Sequence, residues 1–296
     1  MKTLKSITIL KNIKYLLTKS LSDEKEHYEE KMLIAVDQYY RYSLLNEKII
    51  VKRPHIYDYR DSIKLLLTTP KSFCRFGDGE LEIMMGNSIP FQRYDFRLAQ
   101  YLFEIIKYPI SNFYVGLPYD YFHSIDTLNK FSRKFIMLNG VKYREFILQY
   151  CDMERYYLDT GFTQKYINSD RINLEKHFDD VKMLFWDKDI VLFVGKDVLK
   201  KIQYNIFENV RSMKFVEVAA KNAFSDFDDI LQYASSFPKK YTLCFILGPT
   251  AKPLIYELTK LKYTAWDIGH LVKDYNAFMT NIDKTPDNVE KFFQPD

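Results

Sequence analysis

The sequence has no apolar run approaching the ~18 residues that a membrane-spanning helix requires. It is poor in cysteine: Cys74, Cys151 and Cys244 lie far apart, are odd in number and form no CxxC spacing of a zinc site. A reduced, cytoplasmic compartment is the simplest reading of that scarcity. Charge of one sign is not concentrated either. The 43 basic residues are interspersed with 39 acidic ones for a net charge of +4, which argues against nucleic acid as the main partner. No Walker spacing GxxxxGK[ST] is present, and no GxGxxG follows the first strand of the α/β region, so a Rossmann-type dinucleotide or methyl-donor enzyme is disfavoured. Internal repeats and low-complexity segments are also lacking.

One local absence is informative. Residues 1–21 carry five lysines and no acid. A secretory signal needs a continuous apolar stretch and a small-residue cleavage site, whereas Lys11 and Lys14 interrupt this one and no such site follows. As a helix the segment aligns Ile7, Leu10, Ile13, Leu17 and Leu21, with Lys14 inside the stripe. It reads either as a packing helix or as a basic helix for peripheral contact with an anionic membrane, at its inner face, or with a partner. Ser22 then stands as a cap before a further charged helical stretch, so residues 1–55 are expected to form a helical, basic N-terminal extension and 56–296 the main domain.

What is present in abundance is apolar and aromatic residues. The apolar set makes up 47% of the 296 residues, enough to bury a substantial core. The 24 Tyr and 23 Phe suit carbohydrate handling, because an aromatic face packs on the apolar face of a sugar ring, but most are expected simply to fill core. From about residue 56, short runs rich in β-branched and aromatic residues are each closed by Gly, Pro or a polar turn: KSFCRF, NFYVGLP, DIVLFVG, MKFVEVAA, YTLCFILG and YTAWDIG. Segments of helical length lie between them, including YDFRLAQYLFEIIKY, SDFDDILQYASSF and TAKPLIYELTKL. The alternation predicts an α/β fold, a Rossmann-like and mostly parallel sheet flanked by helices on both faces. Ligands in such folds bind beyond the carboxyl ends of the strands, so the residues just after each run are the candidates for chemistry.

Arg75-Phe76-Gly77-Asp78-Gly79-Glu80 follows the first of these runs. Asp78 and Glu80, one residue apart in a glycine-permissive turn, can face a hard cation such as Mg²⁺ or Mn²⁺ that would bridge a nucleotide diphosphate. The plain alternative is an Asp-Gly turn in which Glu80 caps the next helix. In LGPTAKPLIYELTK a strand runs into a helix whose start, near Thr250, can hold a phosphate or be merely capped by that threonine. Asp267 and His270 in WDIGH end another strand and can act in base catalysis or at the diphosphate. Lys196, and Lys221 with Asn222, supply further strand ends for phosphate, ribose or base contacts, although a lysine there is usually only solvated.

The order RFGDGE, SIPFQRYD, KNAF, LGPTAKPLIYEL, WDIGH and DYNAF resembles the bacterial GT-D type glycosyltransferases over about residues 57 to 280. The resemblance implies a metal-dependent hexosyltransferase that takes a nucleotide sugar, most simply a UDP-sugar, and a protein-linked or lipid-linked glycan acceptor. It implies Asp78 and Glu80 as metal and diphosphate carboxylates, with Arg75 and Gly77 framing their turn, and Asn222, Thr250, Asp267 and His270 as pocket residues. This chain departs at DTGFTQKYI, where the family often has an Arg-Pro pair and Gln164-Lys165 stands here, so its substrate is expected to differ if that arginine meets donor or acceptor. The rival of another class is an inactive nucleotide-sugar-binding or scaffold protein of the same fold.

Overall fold

The computed structural model describes residues 53–294 and several helical positions between 28 and 36. The basic segment 1–21 lies outside the described residues. The chain order is β1 (His55–Ile56), α1 (Tyr59–Thr68), β2 (Ser72–Arg75), α2 (Asp78–Met84), α3 (Phe96–Lys107), β3 (Phe113–Leu117), α4 (Lys130–Tyr150) and β4 (Tyr156–Asp159). It continues with α5 (Lys165–Asn168), α6 (Leu174–Phe185), β5 (Asp189–Gly195), β6 (Ser212–Val218), α7 (Phe227–Ser235) and β7 (Thr242–Ile246). The last elements are α8 (Ala251–Lys260), β8 (Thr264–Asp267), α9 (Leu271–Met279) and α10 (Pro286–Phe293). All six strands read from the sequence form, and β1 and β4 join them. β1 lies across the boundary expected between 55 and 56.

The eight strands make one sheet in the order β1-β4-β3-β2-β8-β7-β5-β6. Every strand pair in it is parallel. Parallel pairs need crossovers, and the intervening helices cover both faces. Alternation along β5 shows how the layers are fed: Val191 and Phe193 enter the core shared with α2, α3, α4, α7 and α8. Ile190, Leu192 and Val194 enter the opposite core, shared with α1, α6 and α9. Burial on both sides is why this strand reads as an unbroken apolar run. Helix starts are fixed locally, as where Asp58 accepts the Arg60 and Asp61 N–H groups at 2.8 and 2.9 Å, and where Asp95 accepts that of Leu98 at 3.0 Å.

The strand order places the site. From β2 the chain winds outward through β3 to β4, then crosses to β5 and β6 and returns inward through β7 to β8. β2 and β8 thus meet where the winding direction reverses, and a crevice opens there beyond their carboxyl ends. No described helix is long and apolar enough to cross a membrane.

Candidate active site

A cleft of about 530 Å³ runs along this carboxyl edge. Arg75, Gly77, Asp78, Glu80, Asp267 and His270 line it, so residues 75, 78, 80, 267 and 270, far apart in sequence, share one wall system. That volume is in the range of small-molecule sites.

The RFGDGE turn is built by the end of a fully buried strand. β2 leaves the sheet at Arg75, Gly77 becomes the N-cap of α2, and Glu80 at the third helical position returns one oxygen, Oε2, to accept the Gly77 N–H at 2.8 Å. This capping contact satisfies a backbone donor that the helix start would otherwise leave unpaired. The other oxygen, Oε1, meets the Lys252 ammonium at 2.7 Å. Glu80 therefore caps and pairs at once. Asp78, by contrast, keeps its side chain accessible to water, and among the described residues no lysine or arginine forms an ion pair with it. Crowding by the cleft walls and then the Glu80 charge raise its pKa above the ordinary carboxylate value.

Asp267 is the hub. Its Oδ1 accepts from the Arg75 guanidinium at 3.2 Å and from the Gly269 N–H at 3.1 Å. Its Oδ2 accepts from the Arg75 N–H at 3.2 Å and faces Lys252 Nζ at 3.0 Å. Burial alone would raise its pKa, but the Arg75 and Lys252 charges outweigh burial and hold it below the usual range. Burial likewise opposes the charge on Lys252, yet Asp267 and Glu80 raise its pKa, and its ammonium donates a hydrogen bond to Gly248 O at 3.1 Å. Four charged residues, each no more than 7% exposed, thus neutralise one another: Arg75, Glu80, Lys252 and Asp267. Such a network is positioned by its own charges, and removing one member leaves a buried charge unpaired. Gly269 is required beside it. It sits at φ +40, and a Cβ there would lie 1.5 Å from Arg75 Nη2.

These contacts revise several expectations drawn from sequence. Asp267 was read as acting in base catalysis or at the diphosphate; here four donors engage its oxygens and its pKa is lowered, so it anchors Arg75 and Lys252. His270 lines the cleft, with the Phe292 and Phe293 rings at 5.5 and 5.4 Å. Burial, then the Arg75 charge, push its pKa down to about 3, which makes it a neutral and weakly basic imidazole.

Lys196, Asn222 and Thr250, read as donor contacts, stand beside the cleft and are not in its lining. Lys196 is exposed and its N–H donates to Val218 O at 2.9 Å, continuing the β5–β6 ladder. Asn222, at φ 55, holds the Phe91–Arg93 loop: its own N–H donates to the Phe91 carbonyl at 2.8 Å, and its Oδ1 accepts from the Arg93 N–H at 2.8 Å. Thr250 is fully buried in the turn before α8, caps nothing with its side chain, and faces Gln92 Oε1 at 3.4 Å.

Sequence reasoning passed over Lys252, which closes the network. Its signal was a lysine set among Ala251, Pro253, Leu254 and Ile255, an apolar setting in which a merely solvated lysine is out of place. It also passed over Asp120 and Asp159, which line the same cleft, as do Gln164 and Lys165, noted above where the family often has an Arg-Pro pair. Among the described residues no group of three or more His, Cys, Asp or Glu side chains converges on one point.

The parallel sheet and the cleft at its switch point, with its buried charged network, define an α/β protein of the kind that binds small ligands at the carboxyl edge. The family model of the GT-D glycosyltransferase fold matches residues 73–292, and the chain belongs to that family. The probable glycosyl transferase Gly of Streptococcus gordonii is 30% identical over 226 residues, covering 73% of this chain and 32% of its own length. Glycosyltransferase GlyD of Streptococcus pneumoniae serotype 4 is 26% identical over 217 residues, which is 73% of this chain and 26% of that one. The chain thus spans about a third or less of the curated relatives it matches. A solved structure described as a highly conserved domain of unknown function 1792 with a distinct glycosyltransferase fold superposes with a TM-score of 0.74 at 29% identity, over 83% of this chain and 92% of that one. A glycosyltransferase of the same domain from Streptococcus sanguinis superposes with a TM-score of 0.74 at 27% identity, over 82% and 94%.

Proposed function

We propose that the chain transfers a hexose from a nucleotide sugar, a UDP-sugar in the simplest case, to a hydroxyl of a protein-linked or lipid-linked glycan. The observation that carries this reading is the accessible Asp78 beside a self-neutralised wall of Arg75, Glu80, Lys252 and Asp267 at the switch point of the sheet. Family membership supplies the reaction class. The wall fixes the strand ends without presenting a surplus of negative charge to a diphosphate, which a cluster of unpaired carboxylates would repel.

A divalent cation, Mg²⁺ or Mn²⁺, fits this donor set through Asp78. Glu80 joins it only by giving up Lys252, so the two carboxylates of the D-x-E turn are unequal partners. With few protein ligands, such an ion takes its remaining oxygens from water and from substrate phosphates, as Mg²⁺ commonly does. When bound, it would supply charge stabilisation for the departing diphosphate. The chain's own residues do the rest: α2 and its cap hold the turn rigid, and Arg75 fixes the cleft floor by donating to both Asp267 and Thr160 O, the latter at 3.4 Å.

The test is nucleotide release from a panel of UDP-sugars with Mn²⁺. The expected result is turnover that EDTA abolishes and that Asp78→Asn lowers by about 10²–10³-fold, the scale of losing one electrostatic stabiliser. Turnover undiminished by both treatments would overturn the metal reading. Nucleotide release from none of the panel would overturn the transferase reading itself.

A further inference from the structure

The DYNAF run has no part in the charged network around Asp267, yet it falls on α9, which starts immediately after His270 and that network. Two of its polar side chains reach away from the helix to the backbone of other elements. Asp274 is fully buried, and its Oδ2 and Oδ1 accept the N–H groups of Tyr166 and Ile167, each at 2.9 Å. Asn276 Oδ1 accepts the N–H groups of Gln203 and Tyr204, at 2.9 and 3.3 Å. Residues two apart on an α-helix point about 200° apart around its axis, so the two side chains serve opposite sides of α9.

Both targets are walls of the cleft, and neither is closed by local bonds alone. α5 contributes Lys165 and Asn168 to the lining, and that lysine meets Asp159 Oδ2 at 3.0 Å. The N-cap of α5, Gln164, makes no side-chain capping bond, so first-turn donors that a cap ordinarily takes are taken by Asp274 from another helix. The β5–β6 loop contributes Val198, Leu199 and Ile202. Its turn bonds reach as far as the Ile202 N–H, which donates to Leu199 O at 3.1 Å, and the next two N–H groups are those that Asn276 accepts. α5 follows β4 and the loop follows β5, so the two walls come from opposite halves of the sheet and both hang on α9.

Resting on the transferase reading above, we propose that Asp274 and Asn276 are positioning residues that fix the two walls of the cleft against the Arg75–Asp267 network and so set the geometry in which the nucleotide sugar reacts. Neither side chain lines the cleft itself. Each acts by accepting two backbone donors whose release would let its wall turn away. A wall displaced by about 1 Å misplaces a bound sugar enough to cost up to about 10²-fold in rate. Alanine at Asp274 would leave two buried N–H groups without an acceptor and endanger the fold, whereas Asp274→Asn keeps the side-chain volume and one accepting oxygen. Asn276 is only half-buried, so it can be cut to alanine with water taking up the freed donors.

The experiment uses the full chain, with nucleotide release from UDP-glucose, UDP-galactose and UDP-N-acetylglucosamine, hydrogen exchange read by mass spectrometry, and urea unfolding. Asp274→Asn should speed exchange in segment 164–168 and Asn276→Ala in segment 200–205, each sparing the other. Both should lower kcat/KM by about 10–100-fold under conditions where urea unfolding shows the chain fully folded, a loss that a merely structural contact would not produce. Asn276→Asp, which retains the accepting oxygen, should restore the parent's exchange and rate. Unchanged exchange in either variant would overturn the proposal, as would faster exchange with an unchanged kcat/KM, or an Asn276→Asp variant as slow as Asn276→Ala. A parent that binds UDP by calorimetry yet releases nucleotide from no donor overturns the transferase reading alone. The positioning of the walls is then decided by UDP affinity, which both variants should weaken and which, if unchanged, overturns the proposal as well. A parent that neither binds UDP nor releases nucleotide overturns both.

Discussion

The two ends of the cleft use the same residue types in opposite ways. Around Asp267, two carboxylates and two cations fill one another's bonding capacity, and the carboxylate pKa falls. Around Asp120, burial comes first and raises the pKa, with Lys165 opposing that rise and Asp159 adding to it. Whether the neighbouring cations outweigh burial, rather than the number of acids, decides which way a cleft carboxylate is shifted.

The largest effect is expected from breaking the anchor. Asp267→Ala leaves Arg75 and Lys252 buried without their shared counter-charge, and should destabilise the fold by about 3–5 kcal/mol in urea unfolding. An unchanged midpoint would show that the network is not held by charge. Gly269→Ala attacks the same anchor through shape, because the added Cβ cannot coexist with the guanidinium in its observed place. It should lose UDP binding together with stability, whereas Asn276→Ala should lose turnover and keep its stability. That contrast separates the anchor from the walls beside it.

A smaller effect concerns His270. Its pKa falls from the ordinary histidine value of 6.5 to about 3 on folding, so the unfolded chain binds the proton more readily. The stability it contributes is therefore present above pH 6.5 and lost as pH falls toward 3. His177, lowered to about 4 by burial, acts in the same direction. His270→Gln should flatten the acid side of a stability profile between those limits without abolishing it, because His177 remains. An unaltered profile would contradict the burial of the imidazole.

The smallest effect is expected at the N-terminus. Deleting residues 1–21 should leave nucleotide release nearly unchanged, because every residue assigned a part in the cleft comes after residue 70. The truncated chain should bind anionic vesicles less tightly than the parent, and the parent's binding should fall at high salt. A folded truncation that loses nucleotide release would place the segment at the donor pocket.

Five of the six strands read from sequence lie inside the sheet, where burial on both faces makes them continuously apolar, as in β5 and β7. The edge strand β6 was legible from its β-branched and aromatic residues despite its partial exposure. β1 and β4 escaped notice: one has two residues and the other is Tyr-Tyr-Leu-Asp, too short for a period to show. The D-x-E turn was legible because glycines flank two acids at a strand end. The partners of those acids were not, since Lys252 lies more than 170 residues from Glu80 and the two meet only because α8 packs against β2 and β8 in the folded sheet. Asp120 was hidden for a related reason. It sits between Tyr119 and Tyr121, where the aromatic neighbours read as core and the sheet order that turns the loop toward the cleft is not local.

A structure of the full chain with UDP and Mn²⁺ bound tests the central claim most directly. The account predicts the diphosphate and the ion in the cleft against Asp78, with the Arg75–Asp267–Lys252 contacts intact. Nucleotide bound elsewhere on the molecule, or in the cleft with its diphosphate on Asp120 and Lys165, would contradict it.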